Sequence, residues 1–451
     1  MFPGVTQIPK IPELRNRLLV MCALLCVYRF GVFIPNPGIE REALGQLFNQ
    51  NQGTLFGLYN MFSGGALEQF SIFTLGIMPY ISSSIIIQLM TVVIPALERL
   101  KKEGEAGQQK ITQYTRYGTI LICLVQGFAI SYGLENMAAP GGGQIVEHPG
   151  WSFRLMTILT LTTGSAFIMW LGERITEWGI GNGISLIIMA GIIVAFPDAL
   201  FGLWMSMEEG TFNFLSLLVL GLFALATVAF IVFCERGQRR IPVQYAKRVV
   251  GRKVYGGQDT HLPLKINMAG VIPPIFSSSI MMFPATLGAF SDNTAFTSLA
   301  NLFSPQTAGG GVSSVYMVTY AVLTVFFCYF YTSVTFNPGD VAENMQKHGG
   351  SIPGIRPGKA TAEYIDRVLT RLTLAGALYI TLICLLPDVL IAKARVQFYF
   401  GGTGLLIIVG VALDLVAQIE SHLLTRHYDG LMGGGDGGGT RMRSGRRGSR
   451  A

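Results

Sequence analysis

An all-α polytopic membrane protein is the fold class this sequence predicts, and three observations predict it. Of 451 residues, 50% are apolar and only 13% are charged, whereas ordinary soluble chains carry about 25% charged residues. Apolar runs recur along the whole length, each long enough to cross a hydrocarbon core of about 30 Å, which takes roughly 20 helical residues. Lys and Arg collect in alternate connections between these runs, as they do in loops on the cytoplasmic side of a membrane.

Ten spans are predicted, at about residues 18–35, 72–95, 115–134, 153–172, 183–204, 213–234, 268–290, 314–335, 368–387 and 398–419. The first has a basic flank in Lys10, Arg15 and Arg17. Pro35-Asn36-Pro37 follows it rather than a small-residue cleavage pattern, so it reads as a span and not as a cleaved signal. Asn60 to Phe70 (N-M-F-S-G-G-A-L-E-Q-F) is too short and too polar to cross. By its own residues it reads as a surface loop that bends at Gly64-Gly65, with a small helix resting in a cavity as the alternative.

The second span is the least like a plain anchor. Gly76 and Pro79 are expected to loosen its start, since Pro lacks the N–H that the helix ladder needs. Ser82, Ser83 and Ser84 place hydroxyls at membrane depth, where polar groups are tolerated if packed in protein or lining a cavity. Ile81 and Ile85, four apart, share a helix face, so this span reads either as a helix that looks inward and narrows a space or as a kinked core helix. Gly183 precedes Ile184 and Ile188 in the fifth span. Pro273-Pro274 precedes Ile275 and Ser277-Ser278-Ser279 in the seventh. Gly401-Gly402-Thr403 precedes Leu405-Leu406-Ile407 in the tenth. Four segments that pair helix-loosening residues with isoleucines fit an apolar constriction, which blocks ions by dewetting.

Charge orients the bundle. The connection after span 2 holds Arg99, Lys101, Lys102, Lys110 and Arg116. The one after span 6 holds Arg236, Arg239, Arg240, Lys247, Arg248, Arg252, Lys253 and Lys265, and the one after span 8 holds Lys347, Arg356, Lys359, Arg367 and Arg371. The alternate connections are nearly bare, so both termini are expected on the cytoplasmic side. A five-span unit present twice would be inverted in its second copy, and inverted repeats commonly place a pathway at their interface. This divides the chain into residues 1–205, residues 206–428, and a Gly- and Arg-rich tail at 429–451 whose composition suits disorder.

In the connection after span 6, Ile241, Val243 and Tyr245 alternate with polar positions. Val249-Val250, Gly251 and Val254-Tyr255 follow, the pattern of a short basic β-hairpin. The connection after span 8, Asn337 to Asp366, is rich in Pro and Gly. Basic projections of this kind suit an anionic partner such as RNA, anionic lipid or an acidic protein face, or they merely enforce topology.

Catalytic chemistry is not expected. Gly354-x-x-x-Gly358-Lys359-Ala360 is one residue short of a phosphate loop and lacks its Ser or Thr. The six cysteines fall inside apolar runs, which argues against disulfides and structural zinc. No cofactor or metal is expected. Span centres almost free of charge argue against an ion-coupled small-solute transporter. Arg29, Asp414 and Glu420, near span ends, are explained by structural pairing or interfacial placement. A membrane scaffold without a pore is the other rival.

Several long stretches carry a resemblance: Gly76–Met90, Gln113–Thr119 (Q-Y-T-R-Y-G-T), Met169–Ser185 (M-W-L-G-E-R-I-T-E-W-G-I-G-N-G-I-S), Glu235–Ile241 (E-R-G-Q-R-R-I), Thr260–Pro273, Pro353–Gly358 (P-G-I-R-P-G) and Phe398–Thr403 (F-Y-F-G-G-T). In their order and spacing the chain resembles the SecY/Sec61-alpha family of protein-conducting channel subunits, from about Pro12 to about Ser421. The resemblance implies an hourglass of two inverted five-span halves in the bacterial cytoplasmic membrane. Such a passive channel, not an enzyme, passes unfolded secretory chains and releases membrane helices sideways.

At the waist the resemblance implies a pore ring of Ile81, Ile85, Ile184, Ile188, Ile275 and Ile407. At Asn60–Phe70 it replaces the loop reading with a short plug helix, marked by Asn60, Ser63, Gly64, Gly65 and Phe70. It implies a lateral gate between spans 2 and 3 on one side and 7 and 8 on the other, with Gln88, Thr91, Gln126, Asn267 and Phe283 as gate residues. It implies partner docking through Arg239, Arg240, Arg252 and Arg356. The implied partners are the small subunits SecE and SecG, the motor ATPase SecA, the ribosome (RNA and protein at the large-subunit tunnel exit), signal peptides, nascent chains and lipids. The tail beyond about Asp429 departs from the family pattern.

Overall fold

The computed structural model describes residues 11–40, 44–45, 60, 62–136, 145–208, 213–245, 248–250, 253–255, 260–289, 313–394 and 402–432. Its helices are α1 (Pro12–Val32), α2 (Met78–Val93), α3 (Pro95–Lys102), α4 (Glu105–Asn136), α5 (Trp151–Trp178), α6 (Gly183–Glu208), α7 (Phe214–Arg236), α8 (Ile272–Ala289), α9 (Ser314–Thr335), α10 (Pro338–Lys347), α11 (Lys359–Ala394) and α12 (Gly402–Met432). All but α3 and α10 coincide with predicted spans. Among the described residues, seven helical stretches are long and apolar enough to cross a membrane unaided, or eight if α2 and α3 count as one bent span. The other three spans have local reasons for falling short. Helix α1 carries Glu13, Arg15, Arg17 and Arg29. The described apolar stretch of α8, Ile272–Met281, is brief, and α2 turns by 100° into α3. That turn sits at Ile94, which is extended ahead of Pro95, because a residue before proline is pushed out of the α region.

The helix-loosening reading of the Gly and Pro residues is corrected. Pro79 occupies the first turn of α2, where its missing N–H would have had no intrahelical partner anyway. Gly183 and Gly402 open α6 and α12, and Pro273-Pro274 lie in the opening turn of α8. These residues start four helices rather than bend them. Gly183 also sets a close approach: a Cβ there would strike the Gly172 carbonyl oxygen of α5.

The core is one continuous apolar cluster with contributions from α1, α2 and α4 through α12, excepting the short α10. By contrast α7 buries only Thr227 and Ile231 along its described length. It leaves Phe214, Leu218, Leu222, Leu225 and Phe233 exposed, the pattern of a helix facing lipid. Helices α1 to α6 pack among themselves, as do α7 to α12. The two groups meet where α6 runs beside α12 and where α2 and α4 meet α8.

Beyond the bundle lies a second, smaller core. Strands β1 (Gln238–Tyr245) and β4 (Thr260–Lys265) pair antiparallel, with Ile241 opposite Leu262 and Val243 opposite Thr260. Strands β2 (Arg248–Val250) and β3 (Lys253–Tyr255) form a second, separate antiparallel pair. Strand β5 (Gly350–Ser351), from the connection after span 8, adds to the other edge of β1. Ile241, Val243 and Leu264 pack with Met345, Ile352, Ile365 and Val368. The alternation in β1 is thus accounted for, and the two long basic connections form a single module, which their sequences did not announce.

Candidate functional site

The six isoleucines come from four helices and all belong to or pack against the main apolar core. Ile81 and Ile85 of α2, Ile188 of α6, Ile275 of α8 and Ile407 of α12 are buried in the same apolar cluster, and Ile184 packs against it. All but Ile85, which lies midway along α2, stand early in their helices, and they come from both groups of helices. Of the two settings expected for hydroxyls at this depth, Ser83 and Ser277 take the one packed in protein. Ser83 is buried and donates to the Thr115 carbonyl of α4 at 2.7 Å. Ser277 donates to the Pro273 carbonyl at 3.0 Å and accepts from Thr324 of α9 at 3.1 Å.

Residues 60–77 fold against this cluster. The chain is helical at Asn60, Phe62 and Ser63, then passes through turns as far as α2. The described part is therefore one helical turn followed by turns, shorter than the helix expected over Asn60–Phe70. Gly64 and Gly65, with φ of 68° and 84°, impose the left-handed geometry that ends a helix. Side chains brace the segment internally: Asn60 Oδ1 accepts from the Glu68 N–H at 3.1 Å, and Asn60 Nδ2 donates to Glu68 Oε2 at 3.1 Å. Phe62, Ala66, Leu67 and Phe70 are buried in the main core. Gly64 lies against Gly191 of α6, and a Cβ on Gly64 would come within 3.0 Å of the Gly191 Cα.

The seam between the two groups runs along α2, α4 and α8. Gln88 is half-buried on α2, and Thr91 is buried, donating to the Gln88 carbonyl at 2.7 Å. Among the described residues, Gln88 Oε1 and Gln126 Oε1 are buried acceptors without a donor. At one end of the seam Lys101 of α3 donates to the Val334 carbonyl of α9 at 3.2 Å. Asn267 lies elsewhere. It is buried at the β4–α8 connection and donates to Glu235 Oε1 of α7 at 2.7 Å, while Tyr379 of α11 donates to the same oxygen at 3.3 Å. It therefore anchors the base of α8 within its own group of helices, and among the described residues it makes no hydrogen bond across the seam. The Phe283 side chain lies outside the described residues.

Comparison with known proteins bears directly on this arrangement. A family model described as SecY matches residues 71–416. The chain belongs to the SecY family. It is 51% identical over 421 residues to the protein translocase subunit SecY of Escherichia coli K12, covering 93% of this chain and 94% of that one. It is likewise 51% identical over 422 residues to the SecY subunit of Pseudomonas aeruginosa, covering 94% of both. Among solved structures, one described as a protein conducting channel superposes with a TM-score of 0.66 at 19% identity, covering 93% of this chain and 97% of that one. Sec61 in a canine ribosome-channel complex gives a TM-score of 0.62 at 18% identity, with the same coverage of each chain.

The ribbon shared by the two long connections displays the basic residues that the SecY resemblance singles out. Arg239 and Arg240 are exposed on β1. Arg356 is exposed in the turn between β5 and α11, and its carbonyl accepts from Thr361 Oγ1 at 2.9 Å. Arg252 lies outside the described residues. Two ion pairs of this SecY-family fold were not foreseen. Arg116 of α4 holds Glu173 of α5 through two bonds of 2.9 and 2.7 Å, and Arg154 of α5 holds Glu135 of α4 at 2.8 and 2.6 Å. No spacing in the sequence joins these partners, since each pair spans two helices.

Proposed function

We propose that this chain is the channel-forming subunit of a protein translocase of the cytoplasmic membrane, passive in itself and gated by its cargo. Membership of the SecY family carries this reading; it is supported by isoleucines from both groups of helices lying in or against the main core, with buried residues of the 60–70 segment in the same core. A ring of branched apolar side chains excludes ions when closed and makes no directional bonds to a passing chain. It therefore tolerates any sequence. Selectivity then resides at the seam, where an apolar signal segment replaces the contacts of α2 and α4 with α8. Residues 60–70 act as the plug.

Driving energy comes from a partner. The exposed Arg239, Arg240 and Arg356 suit an anionic docking face, such as the ribosome of the Sec61 complex or a motor ATPase of the SecA kind. SecE and SecG are the small subunits that the family implies. Charge places the basic module and both termini in the cytoplasm.

The seam is open to a direct test. Lys101→Cys and Val334→Cys, in a chain whose six native cysteines are replaced, can be joined by a cleavable bis-thiol reagent of lysine length. Joining them should stop export and lateral release, and cleaving the reagent should restore both. Full export through the joined channel would contradict gating at this seam.

A further inference from the structure

Residues 60–77 are held in two different ways. The part from Phe70 onward is built into the bundle. Asn36 N–H donates to the Phe70 carbonyl at 2.9 Å, and Ile72 N–H donates to the Ile34 carbonyl at 3.0 Å. Phe73 stacks between Tyr28 and Phe167, each ring centroid 6.0 Å away. A Cβ on Gly164 of α5 would collide with the Ile72 carbonyl, so the chain fills a slot cut to its backbone.

Residues 60–69 bond mainly to themselves and to the 71–74 turn. Among the described residues, the hydrogen bonds that tie them to the surrounding helices come from two neighbours on α1. Arg29 Nη1 donates to the Gly64 carbonyl at 2.6 Å, and Tyr28 OH donates to the Ser63 carbonyl at 3.3 Å. Between the two parts Phe70 has φ of 41°, a conformation that non-glycine residues seldom adopt.

We propose that Arg29 is the releasable tether of the plug, with Tyr28 as its weaker companion and Phe70 as the pivot. The proposal rests on reading residues 60–70 as a plug. A guanidinium forms directional, charge-assisted bonds. Its bond to a backbone carbonyl depends on the position of the Gly64 backbone and not on any side chain of the plug. No acidic residue pairs with Arg29 among the described residues; its other contact is the Phe33 ring, 5.4 Å from Cζ to centroid. Swinging the tip away thus breaks the bond outright, while the 70–77 slot keeps the segment attached for its return.

The test compares Arg29→Gln, Arg29→Lys and Tyr28→Phe with a deletion of residues 60–69, using the purified channel complex in planar bilayers without cargo. Arg29→Gln should raise resting ion conductance by about tenfold or more, the scale of a hydrogen bond to a charged group. Arg29→Lys should recover part of the seal, and Tyr28→Phe should leak less than Arg29→Gln. In the deletion background Arg29→Gln should add nothing, which separates a tether from a general loss of fold. If Arg29→Gln does not accumulate in membranes, Arg29→Lys and Tyr28→Phe carry the comparison. A leaky deletion with an unchanged Arg29→Gln overturns the tether and leaves the plug standing. A deletion that does not leak overturns the plug reading, and the tether with it.

Discussion

Replacing Ile407 with Asn should open the resting channel to ions and let precursors with defective signals through. Ile407 is fully buried, at 0% exposure, in the cluster that holds Ile81, Ile85, Ile188 and Ile275. An amide at that depth has no partner in an apolar ring, and an unsatisfied buried polar group costs about 1–3 kcal/mol. The cost falls on the closed arrangement, because in the open one water reaches the amide. The closed-to-open balance should therefore shift by roughly five- to a hundred-and-fiftyfold. Conductance of the reconstituted channel without cargo measures the seal, and export of a signal-defective precursor measures selectivity. If Ile407→Asn leaves both at wild-type levels, Ile407 does not belong to the constriction.

Arg356→Glu should leave the fold intact and cripple coupling to the partner that drives transport. The backbone at this turn is fixed by the bond from Thr361 Oγ1, while the side chain is exposed. Among the described residues no hydrogen bond or ion pair engages its guanidinium. An exposed substitution of this kind typically changes stability by no more than about 0.5 kcal/mol. At an anionic docking face the reversal replaces an attraction with like-charge repulsion, which costs several kcal/mol. ATP-driven export into inverted vesicles should fall by about tenfold or more at unchanged protein level. Normal export at saturating and limiting motor concentrations would remove Arg356 from the docking surface.

Much of this arrangement was legible because membranes impose simple rules. Apolar length and charge alternation located every helix that coincides with a span, and the period of four placed Ile81 with Ile85 and Ile184 with Ile188. The meaning of the accompanying Gly and Pro residues was not legible. A helix that starts at Pro79 and one that kinks there have the same local sequence, and only the neighbouring chain distinguishes them. Ser83 showed a hydroxyl at membrane depth, but not that the Thr115 carbonyl of the next helix would take it.

Contacts across long separations were the least accessible. Asn267 reaches Glu235 and, through it, Tyr379, and nothing in the spacing of these residues brings them together. The pairing of Tyr245 with Gly350 likewise joins two connections that read as separate loops. Arg29 read as structurally paired or interfacial, and its bond to Gly64 depends on how a turn-rich segment folds back against α1.

A photoreactive residue placed at Ile81, in membranes that hold a stalled secretory chain, tests the central claim most directly. If the isoleucine cluster is the constriction through which cargo passes, adducts form along mid-chain segments of the cargo and move with the stall position. If cargo is docked and crosslinks to exposed positions of the basic ribbon while Ile81 yields no adduct, polypeptide does not pass through this cluster, and the chain serves the translocase in some other way than as its pore.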